Sequence, residues 1–413
     1  MGKIAFATVL DESGKLERFD DPEQALETGA VGQIELQYEF GPDLIPPETP
    51  SDDGMWRYRA LLPIEEGKVL YPLAIGGTPL ISPPRLSEVL DIPNLWLKDE
   101  TRTPTGSNKD RATALVLEHA MRNGVGAVSC ASTGNVAVSL AVGAAAAGIE
   151  ATIFVPAEVS ESKLKLMQLA GATVLRVEEG YEAAFELSRE AARTFGWYDR
   201  NTGDNPLTLE AKKTVAFEIW EQLGRQVPDA IIIPVGDGPT LSAMVKGFRE
   251  LRMCGVADRL PRIVGVQAEG CRPIKQAWDT GDPVRSVHPE TIADGIAVGA
   301  PICAALVLRD VRESGGGFVE VSDDSMLQAI RTLAVTGGVL AEPAGAAALA
   351  GLEPALRAGL VKPDETVIVH VTGTGLKNIQ YLQPEGTSTK INASLEEVQQ
   401  AMGRAEKGES FAT

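Results

Sequence analysis

From Ala127 onward the chain alternates short apolar runs with amphipathic ones. Ala127–Ala131, 152–155 and Thr173–Val177 have the length and composition of strands, while 135–148, 160–170 and 181–194 carry a helical period. Alternation at this spacing predicts βαβ units around a parallel sheet. Gly148 and Gly171 stand where helix C-caps belong. A second set of strand, loop and helix follows, with 230–235, 262–266 and 366–371 reading as buried strands. The pattern therefore predicts an α/β fold of two domains, with parallel or mixed sheets and flanking helices. Ahead of it, 33–40 alternates as a half-buried strand should, 41–54 is a loop rich in Pro, Asp, Glu and Ser, and 55–59 reopens ordered structure. The tail from Pro384 is polar and reads as peripheral.

The chain has 413 residues, 44% hydrophobic and 23% charged, enough for two full cores. Lysine and arginine total 38 against 57 acidic residues, a net charge of −19, so nucleic acid and anionic membranes are poor partners. A locally positive anion site is still compatible with that charge. Cys130, Cys254, Cys271 and Cys303 form no CxxC pair and fit free thiols in a reducing cytosol. With three histidines, none near a cysteine pair, a structural zinc site is not expected. Residues 1–6 lack a signal-peptide apolar region, and the longest apolar stretch, 136–148, is shorter than the roughly 20 residues that span a bilayer. These features predict a cytoplasmic protein.

The stretch 97–111 carries the first chemical signal. Ser107 followed by Asp110, ahead of the periodic apolar run through Ala112, Leu115, Val116 and Ala120, reads as a capping box opening a helix. Lys109 then falls in the first turn, where a cation opposes the helix dipole by about 0.3–1 kcal/mol. Near that positive end, and partly desolvated, its amine pKa is expected to fall, which suits a Schiff-base nucleophile. A lone lysine is more often a solvated surface residue; its company decides.

Three strand ends carry informative loops, at the edge where ligands gather in open α/β sheets. Ser132-Thr133-Gly134-Asn135 opens a helix with hydroxyls and free N–H groups suited to a carboxylate, or to ordinary N-capping. Gly236-Asp237-Gly238-Pro239-Thr240 makes a phosphate cradle, or a tight strand-to-helix turn. It is neither the dinucleotide fingerprint, since Leu241 stands at the third glycine, nor a P-loop. Thr372-Gly373-Thr374-Gly375 lets backbone approach a flat ligand, and a threonine hydroxyl can meet a ring nitrogen without ionising. A lysine, a carboxylate site, a phosphate site and a neutral hydroxyl together are what pyridoxal 5′-phosphate requires.

Residues 104–111, Pro-Thr-Gly-Ser-Asn-Lys-Asp-Arg, resemble the Schiff-base lysine motif of fold-type II pyridoxal-phosphate enzymes, whose fold is tryptophan synthase β-like. Ser132 to Asn135, Gly236 to Thr240 and Glu342-Pro343-Ala344-Gly345-Ala346-Ala347 follow in that family's order. Met55 to Pro63, Gly77 to Leu80, Lys213 to Glu218 and Thr372 to Lys377 are similar to threonine synthase in particular. The resemblance covers roughly residues 55 to 380. It implies that Lys109 carries the Schiff base and acts as acid and base at Cα. Asn135 would bond the cofactor's 3′-oxygen, the Gly236–Thr240 loop would hold its phosphate, and Thr372 would face the pyridine nitrogen. Ser132 and Thr133 would bind the substrate carboxylate. It further implies a homodimer, and four segments: an N-terminal extension 1–62, a large cofactor-binding domain 63–113 plus 206–385, a small α/β domain 114–205 and a tail 386–413.

The departures bear on the substrate. Where threonine synthases carry a phosphate-binding arginine, in a stretch like NPxRLEGQKT, Thr208 stands here, followed by Lys212 and Lys213. Ala297 stands in the arginine's place of an IRIGNP-like segment, and Ile292-Ala293-Asp294-Gly295 before it is in the manner of threonine dehydratases. Bidentate donors grip phosphate best, so Lys212 or Lys213 would have to serve as a point charge. Asn108, Val136 and Thr374 also replace the residues common at their positions. The expectation is a threonine synthase-like lyase converting O-phosphohomoserine and water to threonine and phosphate. Its alternatives are a threonine or serine ammonia-lyase and a replacement enzyme on another activated amino acid.

Overall fold

The apolar runs buried on both faces form the middle of a six-stranded sheet. Its order is Gly317–Val321, Arg262–Ala268, Ala230–Pro234, Val367–Val371, Leu95–Asp99, Leu80–Ile81. All neighbours are parallel except the last pair. Every side chain of Ala230–Pro234 and Val367–Val371 is buried, as expected where helices cover both faces. A second sheet, wholly parallel, runs Thr173–Val177, Glu150–Pro156, Ala127–Ala131, Tyr198–Asp199. A third, antiparallel, holds Leu16–Phe19, Ile4–Leu10 and Ile34–Tyr38. This computed structural model describes residues 4–10, 15–22, 24, 34–48, 53–201, 205–382, 384, 386 and 388–405. Gln33, and 49–52 of the expected 41–54 loop, lie outside them.

The helices predicted around the second sheet are Asn135–Ala147, Glu161–Leu169 and Tyr181–Phe195. Gly148 takes the left-handed conformation at φ 69° and Gly171 at φ 81°, as helix ends require. All four cysteines are buried and none is joined in a disulfide. Among the described residues no helix is long and apolar enough to cross a membrane.

Two local readings are corrected. The capping box does not form: Asn108 is already helical in backbone conformation and no side chain caps the helix Lys109–Arg122. Ser107 is instead bridged to Gly373, and the Asp110 carboxylate turns back to accept from Thr105 N–H at 2.7 Å and Thr105 Oγ1 at 2.6 Å. The strand Ile34–Tyr38 is also not half-exposed. Glu35, on its expected polar face, is buried because Arg249 and Arg309 reach it at 3.0 and 2.7 Å.

A buried ionic network fixes the helix that carries Lys109. Arg111 meets Glu100 at 2.7 Å and Glu218 at 2.6 Å, and Lys98 meets Glu218 at 2.8 Å. Thr78 and Thr214 supply further hydrogen bonds to Arg111. Such a set is specific rather than simply stabilising, since desolvating its charges offsets most of their attraction. Its place two residues beyond Lys109 is what matters for the site.

Candidate active site

Backbone hydrogen bonds tie the turn of Lys109 to the carboxyl edge of the large sheet, while the ionic network of Arg111 fixes its helix. Its helix follows the turns after Leu95–Asp99, and the neighbouring parallel strand Val367–Val371 ends at the same edge. Asn108 N–H donates to Thr372 O at 2.9 Å, and Thr374 N–H donates to Gly106 O at 2.8 Å. The loop of Thr372 and the loop of Lys109 are thus one structure. Thr372 is buried, at 7% exposure, beside the lysine's own turn.

The half-buried Lys109 amine donates to Asn108 Oδ1 at 2.9 Å. Burial pushes its pKa down to about 8, against the pull of Glu342 and with the help of Arg200 and Lys377. Desolvation, one of the two causes expected from the sequence, is the largest. Across the cleft Asn135 opens the helix Asn135–Ala147, and its Nδ2 donates to Glu342 Oε1 at 2.6 Å. Burial raises the Glu342 pKa. Ser132 and Thr133 precede Asn135, both half-buried. Ser132 Oγ accepts from Gly134 N–H at 3.2 Å, and Gly134, at the cap position, offers no side chain to the N–H groups that follow it.

The loop 236–240 joins Ala230–Pro234 to the helix Pro239–Met253. Gly238, at φ 106°, needs the freedom of glycine, and a Cβ at Gly236 would meet Ile296 Cα at 2.9 Å. The Asp237 carboxylate accepts from Ile302 N–H at 2.6 Å. Thr240 Oγ1 accepts from Asn108 Nδ2 at 3.2 Å, which ties this loop to the turn of Lys109. The helix has Pro239 in its first turn and no side-chain cap, leaving its N-terminal field open to an anion.

Thr208 and Lys212 lie on the short helix Leu207–Lys212. Thr208 lines a small cavity with Ile34, Asn205, Pro206, Leu209, Pro239 and Cys303, beside the 236–240 loop rather than against Lys109. Lys212 is 3% exposed, and among the described residues it makes neither an ion pair nor a hydrogen bond. Burial pushes its pKa well down, and Lys109 and Arg200 add to the effect. Lys213, the other substitute cation, is committed elsewhere, to Glu210 and to Glu250. Glu342, Arg200 and Lys377 had no role assigned from sequence. Glu342 stands out in sequence as the sole charge opening an alanine-rich helix, Pro343–Ala350, and Lys377 closes the Thr372–Lys377 stretch; nothing local marks Arg200.

These residues fit pyridoxal phosphate. Asn135 Oδ1 and Glu342 Oε2 are buried without partners, as polar atoms facing a ligand site are. A Cβ on Gly373 would lie 2.4 Å from Glu342 Oε1, so backbone alone fits that wall. The site brings a depressed lysine, a neutral threonine and one uncapped helix N-terminus at the edge of the large sheet together with a second uncapped helix N-terminus from the small one.

Fold and site together define the class, and comparison with known proteins agrees. The family pattern described as pyridoxal-phosphate dependent enzyme matches residues 71–373, and the chain belongs to that family. It is a pyridoxal-phosphate dependent lyase of fold type II, as its sequence motifs implied.

Within the family it is threonine synthase-like. It is 36% identical over 370 residues to a threonine synthase of Methanocaldococcus jannaschii, covering 88% of this chain and 91% of that one. It is 38% identical over 352 residues to that of Methanosarcina acetivorans, covering 84% and 86%. Among solved structures, threonine deaminase isoform 2 of Solanum lycopersicum matches with TM-score 0.64 at 21% identity, covering 88% of this chain and 91% of that one. Diaminopropionate ammonia lyase of Escherichia coli matches at 0.65 and 18%, covering 74% and 86%. At such identities the structures speak to fold alone.

Proposed function

We propose that this enzyme converts O-phosphohomoserine and water to threonine and phosphate. The observation that carries the reading is Lys212, a buried lysine whose side chain makes no ion pair or hydrogen bond among the described residues, near Lys109 and Arg200. These three cationic side chains outnumber the nearby Asp237 and Glu342 carboxylates, and such an excess out of water favours a bound anion. A substrate phosphate supplies one. Positions 208 and 212 are one helical turn apart and share a face, so Lys212 supplies the cation that Thr208 lacks.

In this reading the Gly236–Thr240 loop, including Asp237 and Pro239, holds the cofactor phosphate. Asn135 meets the 3′-oxygen, and Thr372 faces the pyridine nitrogen. Bound pyridoxal phosphate supplies an electron sink for negative charge at the substrate Cα. Lys109, with an amine that is partly neutral near pH 8, moves the proton at Cα. Ser132 and Thr133, with the uncapped helix start behind them, bind the substrate carboxylate. Thr208 lines the wall near the leaving group. Residues 63–113 with 206–385 form the cofactor-holding domain and 114–205 the smaller one, the working unit is a homodimer, and the enzyme acts in the cytoplasm.

A second reading, loss of water and ammonia from threonine or serine, is favoured by the uncharged Thr208. The experiment is direct: the holoenzyme receives O-phosphohomoserine and L-threonine separately, with phosphate and keto acid assayed in each. Phosphate from the first supports threonine synthase chemistry. Keto acid from the second, with no phosphate from the first, overturns it.

A further inference from the structure

The N-terminal sheet is the one segment whose role the sequence leaves blank, and it is built onto the back of the site. Its strand Ile34–Tyr38 ends against the helix Leu207–Lys212. Leu36 N–H donates to Glu210 Oε1 at 3.3 Å, and the Tyr38 hydroxyl donates to Glu210 Oε2 at 2.8 Å. Lys213 and Lys246 complete that carboxylate's shell, the latter at 3.2 Å, and Lys213 Nζ stands 4.2 Å over the Tyr38 ring. Leu10 of the neighbouring strand packs with Leu209, and Ile34 lines the same cavity as Thr208.

Helical geometry gives these contacts a direction. At about 100° per residue, Glu210 lies roughly 200° around the axis from both Thr208 and Lys212. The extension therefore holds Glu210 on one side of the helix and reaches Thr208 through Ile34, while Lys212 projects from the side away from Glu210. Six residues make fewer than two turns, too short to hold an orientation without outside help. Glu210 is the handle: fully buried, with donors from the extension on both oxygens.

We infer that the N-terminal sheet is a positioning element of the active site, with Tyr38 acting through Glu210 to aim Lys212 and Thr208 at the substrate's anionic leaving group. The inference rests on the reading of Lys212 given above. Tyr38 itself touches no substrate; it is a positioning residue. A sheet that only added stability would require no contact with this helix in particular.

The test compares two holoenzyme variants. Tyr38→Phe removes one donor and keeps the ring. Phe19→Ala weakens the same sheet at a side chain packed into the main core, away from Glu210. Positioning predicts that Tyr38→Phe raises KM by about tenfold or more, a loss in the range of one hydrogen bond to a charged group, with kcat within about twofold and the visible cofactor band unchanged. Amide exchange across 207–212 accelerates in Tyr38→Phe. Phe19→Ala lowers Tm and leaves both KM and that exchange alone. Unchanged KM and exchange in Tyr38→Phe, or equal effects of both variants at equal loss of Tm, overturns the inference. A wild-type enzyme that releases no phosphate overturns the proposed substrate instead. Positioning is then read from KM for threonine, or, if neither substrate turns over, from exchange of 207–212 alone.

Discussion

Asn135 and Glu342, 207 positions apart in the chain, share a hydrogen bond of 2.6 Å across the cleft, from Nδ2 to Oε1. One begins a helix beside the small sheet, the other begins a helix beside the large one. Glu342 also raises the Lys109 pKa against burial, so it sets the lysine's charge as well as joining the two halves of the site. In Glu342→Gln that support is gone and the amine is freed at lower pH. Schiff-base formation needs the neutral amine, so its rate with pyridoxal phosphate rises with pH through about 8 in wild-type apoenzyme. The midpoint in Glu342→Gln falls below that of wild type. A pH series of stopped-flow absorbance measures it, and an upward shift contradicts the assignment.

Lys109→Ala removes the nucleophile and the base together. The visible imine band disappears, and turnover falls by at least about 10³-fold, given that proton transfer alone is worth about 10²–10⁴ and the nucleophile is lost as well. Retained band and turnover would move the chemistry to another lysine.

Gly373→Ala places a methyl 2.4 Å from Glu342 Oε1, against a carboxylate that is already hydrogen-bonded. The Asn135 contact breaks or the loop shifts, and cofactor affinity falls by about tenfold, the equivalent of 1.4 kcal/mol. Fluorescence titration of apoenzyme with pyridoxal phosphate gives the comparison.

Lys212→Met separates stability from function. A buried lysine with a depressed pKa binds its proton less readily folded than unfolded, so it costs stability below its ordinary pKa of 10.5, increasingly as pH falls. Replacing it with methionine therefore stabilises the protein, and more at pH 6 than at pH 9, by denaturant titration. KM for O-phosphohomoserine rises by about tenfold or more in the same variant. A variant that is less stable at every pH would show that an anion or carboxylate already pairs the lysine.

Arg111→Ala leaves Glu100 buried without its cation and Glu218 with Lys98 alone, and lowers unfolding free energy by about 3–5 kcal/mol. Arg111→Lys does not restore it, because a single ammonium cannot reach both carboxylates in the planar, forked geometry seen here. Urea midpoints of the two variants decide.

What the sequence determined by itself was what travels with local pattern. Runs such as 230–235 and 366–371 are apolar on both faces, and only a sheet covered by helices buries them, so the α/β class and its strands were legible. The three loops at strand ends were legible too, because glycine and hydroxyl residues between a strand and a helix have few other uses. Lys109 stood out for being a cation at the wrong end of a helix. The tertiary structure alone decided which charges are paired. Ser107 and Asp110 have capping-box spacing, yet the bridge to Gly373 and the turn at Thr105 claim them. Glu35 sits on a polar stripe and is buried by two arginines more than 200 positions away. Lys212 and Lys213 are neighbours of one type; the second is paired with Glu210 and Glu250, and the first has no ion-pair partner among the described residues. Pairing depends on groups brought close through space, where a few ångströms in a poorly polarisable interior outweigh any preference that spacing along the chain can encode.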